Sequence, residues 1–219
     1  MSFAFDSHVA LFGGSFNPPH VGHVAAVKGL FQNPKVGRLV VLPSHSPKLK
    51  STELPFEHRF QMAKLALEST AEISRFEEEE KTEFTWQVLE KLSQKHPKLV
   101  FVIGTDQLEQ LDRWGRFPEV LSLCDWIVLL RKPATLDTVT PALKKLIAGN
   151  ILTTTPDPRE FKIARNGKTR MLVLVNTDAP DVSSTKIREK LVMGKKEEVQ
   201  ALLPSSVLSY IERNHLYGN

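Results

Sequence analysis

The run Val9-Ala10-Leu11-Phe12 stops at Gly13-Gly14, and Ser15-Phe16-Asn17-Pro18-Pro19-His20-Val21-Gly22-His23 follows at once. Four apolar residues bounded in this way predict a buried strand. Gly13 and Gly14 would let the backbone approach a ligand more closely than a side chain permits. The stretch from His20 onward predicts a helix start, whose free N–H groups and roughly half a positive charge suit a phosphate. Strand, phosphate-holding turn and helix start are therefore read in one segment. It is not a Walker loop, since no GKS or GKT follows, and the spacing of GxGxxG is absent.

His20 and His23 stand at i and i+3, so both rings lie on one face of the first helical turn and can converge on one set of phosphate oxygens. Gly22 between them would leave room for a substrate. The plainer reading is a pair of surface or capping histidines. A second cluster, Val182-Ser183-Ser184-Thr185-Lys186-Ile187-Arg188, has the residues of another helix start. Ser183, Ser184 and Thr185 are N-cap candidates, and with Lys186 and Arg188 they make a second anion site. The alternative is an ordinary cap with a solvated basic turn. Two helix N-termini facing one another would bracket a polyphosphate.

Between and beyond these clusters, strand-like and helical runs alternate. Strands are expected over residues 9–12, 38–42, 72–76, 98–103, 126–130, 151–155 and 171–175. Amphipathic helices are expected over 20–31, 55–69, 85–95, 106–111 and 138–148. The order predicts an α/β fold, a Rossmann-like doubly wound parallel sheet with ligands at the carboxyl ends of its strands near a topological switch. Residues 1–180 would form that domain, and 181–219 a C-terminal helical segment packed on it, broken near Gly194 and Pro204. Residues 154–170 read as a hairpin or long loop. Glu77-Glu78-Glu79-Glu80 reads as a solvated edge or loop and is assigned no chemistry.

Composition narrows the function classes. The chain has 219 residues, 41% of them hydrophobic and 25% charged, enough for a sizeable core. No apolar run approaches the roughly 20 residues that span a bilayer, and no leader-like pattern opens the chain, so no membrane partner and a cytoplasmic setting are expected. Cys124 is the only cysteine and sits in an apolar context, which excludes an intrachain disulfide and argues against a catalytic thiol. The net charge of +4 is spread along the chain, favouring small anions over nucleic acid. No zinc-ligand spacing or nucleophilic triad is evident. Assembly with further copies of the chain is left open.

GG, F and HxGH together resemble the signature of the HxGH nucleotidyltransferase superfamily, and Val182 to Arg188 resembles the SSTxIR signature of its nicotinate and nicotinamide mononucleotide adenylyltransferase branch. The resemblance runs from Gly13 to the closing Tyr210-Ile211 and Leu216-Tyr217. It implies that His20 and His23 act on the α-phosphate, and that Gly13, Gly14, Ser15, Phe16, Gly22, Gly104, Asp106, Ser183, Ser184, Thr185 and Arg188 bind ATP. In Gly104-Thr105-Asp106, resembling the family's GxD, Asp106 would accept from a ribose hydroxyl, or cap a helix. Trp114, in a match to LxxW, would stack on the pyridine ring, or simply pack in the core. Thr85, in a match to YT with Phe84 for Tyr, would meet the ring's carboxylate, or cap its helix. Arg59, in a match to RxxMxxLA, would orient a loop or the substrate phosphate. Arg131 matches an arginine without a fixed role.

Two departures stand out. Asn17 replaces the family's usual Asp, removing a charge while keeping an oxygen near the phosphates. Pro43 to Lys50 lacks the PPHK wording, although Lys50 keeps the basic position and is expected at the pyridine nucleotide, with Lys48 adding charge. The resemblance implies adenylyl transfer from ATP to nicotinate mononucleotide, giving deamido-NAD and pyrophosphate, with Mg²⁺ carried by the ATP phosphates. Nicotinamide mononucleotide as acceptor, transfer to another phosphate such as that of pantetheine, and a nucleotide sensor without turnover are the alternatives.

Overall fold

The computed structural model describes residues 4–32, 34–46, 54–131 and 136–218. Five strands, β1 (Val9–Gly14), β2 (Arg38–Pro43), β3 (Glu72–Ile73), β4 (Leu99–Gly104) and β5 (Asp125–Arg131), run parallel. Two more, β6 (Thr153–Thr154) and β7 (Glu160–Arg165), precede β8 (Lys168–Thr177), which joins β5 in parallel, while β7 runs antiparallel to β8 and β6 to β7. The order across the sheet is β3-β2-β1-β4-β5-β8-β7-β6. The chain therefore leaves β1 toward one edge and later returns to its other side, which puts the topological switch between β1 and β4.

Each central strand buries both faces. Leu11, Val40, Phe101, Trp126 and Leu172 point into one apolar cluster, and their neighbours Ala10, Val41, Val100, Ile127 and Val173 into the other. That is the period-2 alternation of a strand covered on both sides, as parallel sheets require. Helices α1 (Val21–Gln32) and α2 (Phe56–Leu67) cover one face; α4 (Thr85–Lys95), α5 (Thr105–Glu109) and α6 (Leu136–Ala148) cover the other, with α3 (Phe76–Glu79) short and peripheral. The C-terminal α7 (Ser184–Val192), α8 (Glu197–Gln200) and α9 (Ser205–Arg213) bury Ile187, Leu191, Val199, Val207 and Ile211 with Met62 of α2. Their breaks fall near Gly194, whose φ is +71°, and at Pro204, as the sequence indicates.

Two expectations change and a third is decided between its alternatives. The strand expected over 72–76 pairs for two residues only. Ser74 then accepts the Phe76 amide at 3.1 Å and turns the chain into α3, so the acidic run is largely helical. The strand expected from residue 151 starts at Thr153, because the Ile151 and Leu152 amides still bond the Leu146 carbonyl, closing α6 behind a left-handed Asn150. Residues 154–170, read as a hairpin or long loop, contain the β7–β8 hairpin. Its turn is Asn166-Gly167 with both φ positive, the two-residue turn that matches strand twist.

Candidate active site

Where β1 ends, the chain crosses the carboxyl edge of the sheet beside the switch. Behind Gly13 lies the ring of Phe101, which a Cβ would meet at 3.0 Å; behind Gly14 lies Phe16, at 3.2 Å. The glycines thus keep the edge thin enough for both a packed ring behind and a cavity in front. Phe16 takes a left-handed φ of 48° and is 1% exposed, unusual for a bulky residue. Its ring packs against that of His23, with centroids 5.0 Å apart. It supports the catalytic candidate from behind and is not among the residues lining the two cavities described below.

His20 stands one residue before α1, and its carbonyl accepts the His23 and Val24 amides at 2.9 and 3.2 Å. It is the N-cap residue, one position earlier than the first-turn placement expected. His23 reciprocates: its Nδ1 accepts the His20 backbone N–H at 3.2 Å, as a Glu or Gln does in a capping box. A ring that accepts at Nδ1 carries its proton on Nε2, so its far nitrogen is a donor. The two imidazoles lie 3.8 Å apart between centroids. Gly22 keeps space for this pair: a Cβ there would come within 3.0 Å of the His20 ring and 3.1 Å of the Pro180 carbonyl.

The two motifs meet here. One cavity, of about 590 Å³, is lined by Gly13, Gly14, Ser15, His20, Gly22 and His23 on one side and by Ser183, Ser184, Thr185 and Arg188 on the other, with Gly104 and Asp106 below. Part of the second motif is spent on joining the two sides. Ser184 Oγ donates to the Pro18 carbonyl at 3.0 Å, and Arg188 Nη1 to the Asn17 carbonyl at 2.8 Å. Arg188 Nη2 reaches Thr185 Oγ1 at 3.3 Å. The Asn17 oxygen expected near the phosphates instead accepts the Tyr217 hydroxyl at 2.5 Å.

A second cavity, of about 210 Å³, opens beside the first. Its walls include Ser44, Ser46, Glu77, Phe84, Thr85, Trp86, Phe101, Gln110, Arg113 and Trp114, and it shares Gly13, Gly14, Ser15, Asp106 and Gln107 with the first. Thr85 opens α4, but the capping falls to Gln87, whose Oε1 accepts the Glu83 and Phe84 amides at 2.9 and 3.0 Å. Trp114 packs in the core, meeting Phe101 and Trp126 edge-on at 6.2 and 6.1 Å, and it also lines the cavity. Asp106 lies within the first turn of α5. Gly104 is that helix's N-cap, so the capping alternative for Asp106 does not hold.

Arg59 is placed differently from a substrate ligand. It is 1% exposed, and its guanidinium donates to the carbonyls of Leu54, Ser15, Ser44 and His45 at 2.6 to 3.2 Å. It ties α2 to the loops after β1 and β2, the loop-orienting half of its expected role, and does not line either cavity. The acidic run holds the feature that the sequence hid. Glu77 is half-buried, lines the second cavity and accepts the His45 amide at 2.9 Å, and burial pushes its carboxyl up to about 7. Cys124 is buried and its thiol is pushed up by the apolar surroundings, consistent with an inert side chain. Lys48 and Lys50 lie outside the described residues, as does the side chain of Arg131 at the end of β5.

Gln107, Ser44, Gln110, Arg113, Asp181 and Leu129 also line these cavities and carry no motif that would have marked them. Among the described residues no three His, Cys, Asp or Glu side chains group as metal ligands, and no helix is long and apolar enough to cross a membrane.

Known proteins share this fold. A solved structure titled as Plasmodium falciparum nicotinic acid mononucleotide adenylyltransferase complexed with NaAD superposes with a TM-score of 0.72 at 18% identity, covering 96% of this chain and 97% of that one. The likeness is one of fold. In sequence, a protein of Caldicellulosiruptor saccharolyticus named probable nicotinate-nucleotide adenylyltransferase is 31% identical over 95% of this chain and 98% of its own length. A Bacillus pumilus protein of the same name is 29% identical over 95% and 97%. The cytidylyltransferase-like family model matches residues 11–190, a span that holds both motifs and both cavities, and the chain belongs to that family, on its nicotinate-nucleotide adenylyltransferase branch.

Proposed function

We propose that the chain transfers the adenylyl group of ATP to nicotinate mononucleotide, giving nicotinate adenine dinucleotide and pyrophosphate in NAD biosynthesis. One observation carries the reading: two cavities of different character meet at Gly13, Gly14, Ser15, Asp106 and Gln107, directly beside the histidine pair. A triphosphate nucleotide in the first and a pyridine mononucleotide in the second would bring their phosphates together there. The names of the relatives agree with that pairing.

A phosphate oxygen of the mononucleotide attacks the α-phosphorus of ATP; the new P–O bond forms as the bond to the β-phosphate breaks, and pyrophosphate leaves with the electron pair. The protein's part is alignment and charge stabilisation. His23 Nε2–H and His20 act on α-phosphate oxygens as negative charge builds. The amides and hydroxyls at the start of α7, with Thr185 and Arg188, hold the β- and γ-phosphates. Asp106 takes ribose hydroxyls, and Trp114 and Thr85 receive the pyridine ring and its carboxylate. Mg²⁺ fits as a guest of the nucleotide: the phosphate cavity offers Asp106 and Asp181 but no cage of three ligating side chains among the described residues. It would neutralise charge on the phosphates it accompanies. On this reading the enzyme is cytoplasmic, and residues 181–219 are a helical addition to a nucleotidyltransferase domain over 1–180.

The test is pyrophosphate release from Mg-ATP with nicotinate mononucleotide and nicotinamide mononucleotide in parallel, each product identified by mass. Turnover favouring the acid by tenfold or more, about 1.4 kcal/mol in the specificity ratio, is the expected result. A preference for the amide would move the assignment to that acceptor, and no product from either would sink it.

A further inference from the structure

Asn17, in the turn that follows β1, is the residue that the chain's last turn reaches. After α9 the chain makes a short 3₁₀ turn, Leu216–Gly218, in which Tyr217 adopts a left-handed φ of 61°. Leu216 is buried in the C-terminal apolar cluster, and Tyr217 packs against that cluster while its hydroxyl leaves it to reach Asn17 Oδ1 at 2.5 Å. An exposed tail would not hold a bulky residue in that conformation without such anchors.

Asn17 is 3% exposed and lines the phosphate cavity. Its backbone carbonyl is already taken by Arg188 Nη1 at 2.8 Å, so the residue's frame is fixed and what is left open is the direction of its carboxamide. A carboxamide is a two-faced group, acceptor at one end and donor at the other, and a 180° turn about its last bond exchanges them. Burial pushes the Tyr217 hydroxyl up and keeps it protonated, and its O–H is the donor to Asn17 Oδ1. A donor on that side selects the oxygen end of the carboxamide.

We propose that Tyr217 is a positioning residue that holds Asn17 Oδ1 away from the phosphates and so presents the Asn17 NH₂ to them as a hydrogen-bond donor. An aspartate at this position has no such donor to present. The inference deepens the reading above and rests on its assignment of this cavity to ATP.

The experiment is a double-mutant cycle on Tyr217→Phe and Asn17→Ala. Its readouts are calorimetric binding of a non-hydrolysable ATP analogue with Mg²⁺, KM and kcat for ATP, and thermal midpoints. Each single variant is expected to bind the analogue about 3- to 10-fold more weakly, the scale of one hydrogen bond. The double variant should bind no more weakly than Asn17→Ala alone, because the tyrosine acts only through the carboxamide. Multiplicative losses in affinity would overturn the proposal, as would a Tyr217→Phe variant that loses thermal stability while keeping wild-type affinity and KM, since that is a structural anchor only. A wild-type chain that binds the analogue but makes no dinucleotide overturns the function and leaves this cycle readable; a wild-type chain that binds no ATP overturns both.

Discussion

At the scale of the residue, His23 has two nitrogens and, on the proposed function, two tasks. Nδ1 accepts the His20 amide and closes the start of α1, while Nε2 is left as the donor. The two tasks are separable, because an asparagine oxygen reaches about as far as Nδ1 and a glutamine nitrogen about as far as Nε2. His23→Asn is expected to keep most of the thermal stability and to lower kcat by roughly 10² to 10³, the scale of one transition-state donor. His23→Gln, the side chain a capping box uses at this position, is expected to keep the cap through Oε1 and more of the turnover than His23→Asn, whereas His23→Ala loses both, with about 0.5–2 kcal/mol of stability going with the cap. Unfolding curves and kcat on the same preparations check this, and an asparagine variant with wild-type kcat would remove His23 from the chemistry. That the two histidines and Ser184 share one cavity was legible in the sequence because each belongs to a local pattern at a helix start. Asn17 was legible only as a departure from a pattern. Its partner lies 200 residues away, and no local spacing points to such a contact.

At the scale of the element, the acidic run shows what a charge pattern conceals. Four consecutive glutamates look like a solvated face, and for Glu80, which pairs with Lys91 at the surface, they are. Folding the run into α3 turns one of the four inward, onto the His45 amide and the wall of the second cavity. The rotation is set by where Ser74 starts the helix, which composition does not reveal. The cost is visible in the carboxyl itself, pushed from an ordinary 4.5 to about 7 by burial. In the unfolded chain Glu77 loses its proton near the ordinary value; in the folded chain it keeps it until about pH 7. Its contribution to stability is therefore fully present below about pH 4.5 and lost as the pH rises through 7. Between pH 5 and 8 the wild type should lose on the order of 2–3 kcal/mol relative to Glu77→Gln, which has no proton to lose. Denaturant midpoints of the two proteins across that range check it; parallel curves would place Glu77 in solvent. Arg59 teaches the same lesson from a helix that was foreseen. Its position on α2 was plain, but its four carbonyl partners belong to three separate stretches of loop and became visible only in three dimensions.

At the scale of the whole molecule, the sheet order is what makes one site out of two pockets. Alternating apolar runs announced a doubly wound sheet, and the glycines ending β1 and β4 marked its switch, so the site's address was readable before its contents. The walls of the second cavity come instead from residues such as Ser44 and Gln110 in loops and Arg113 in a short 3₁₀ turn, which no periodicity singles out. Because the two cavities share the floor between them, a ligand that fills both gains the contacts of each without a second loss of translational freedom. The dinucleotide product should therefore raise the thermal midpoint more than either mononucleotide or ATP analogue at the same concentration. At a hundredfold excess over its dissociation constant the expected stabilisation is about 2.7 kcal/mol, or roughly 5–10 °C for a chain of this length. Trp114→Ala is expected to reduce the shift given by the pyridine mononucleotide and by the dinucleotide, but to leave the shift given by the ATP analogue unchanged, since Trp114 lines only the second cavity. Equal reductions for all three ligands would mean that the tryptophan acts through the core it shares with Phe101 and Trp126, and that the two halves of the site are not independent.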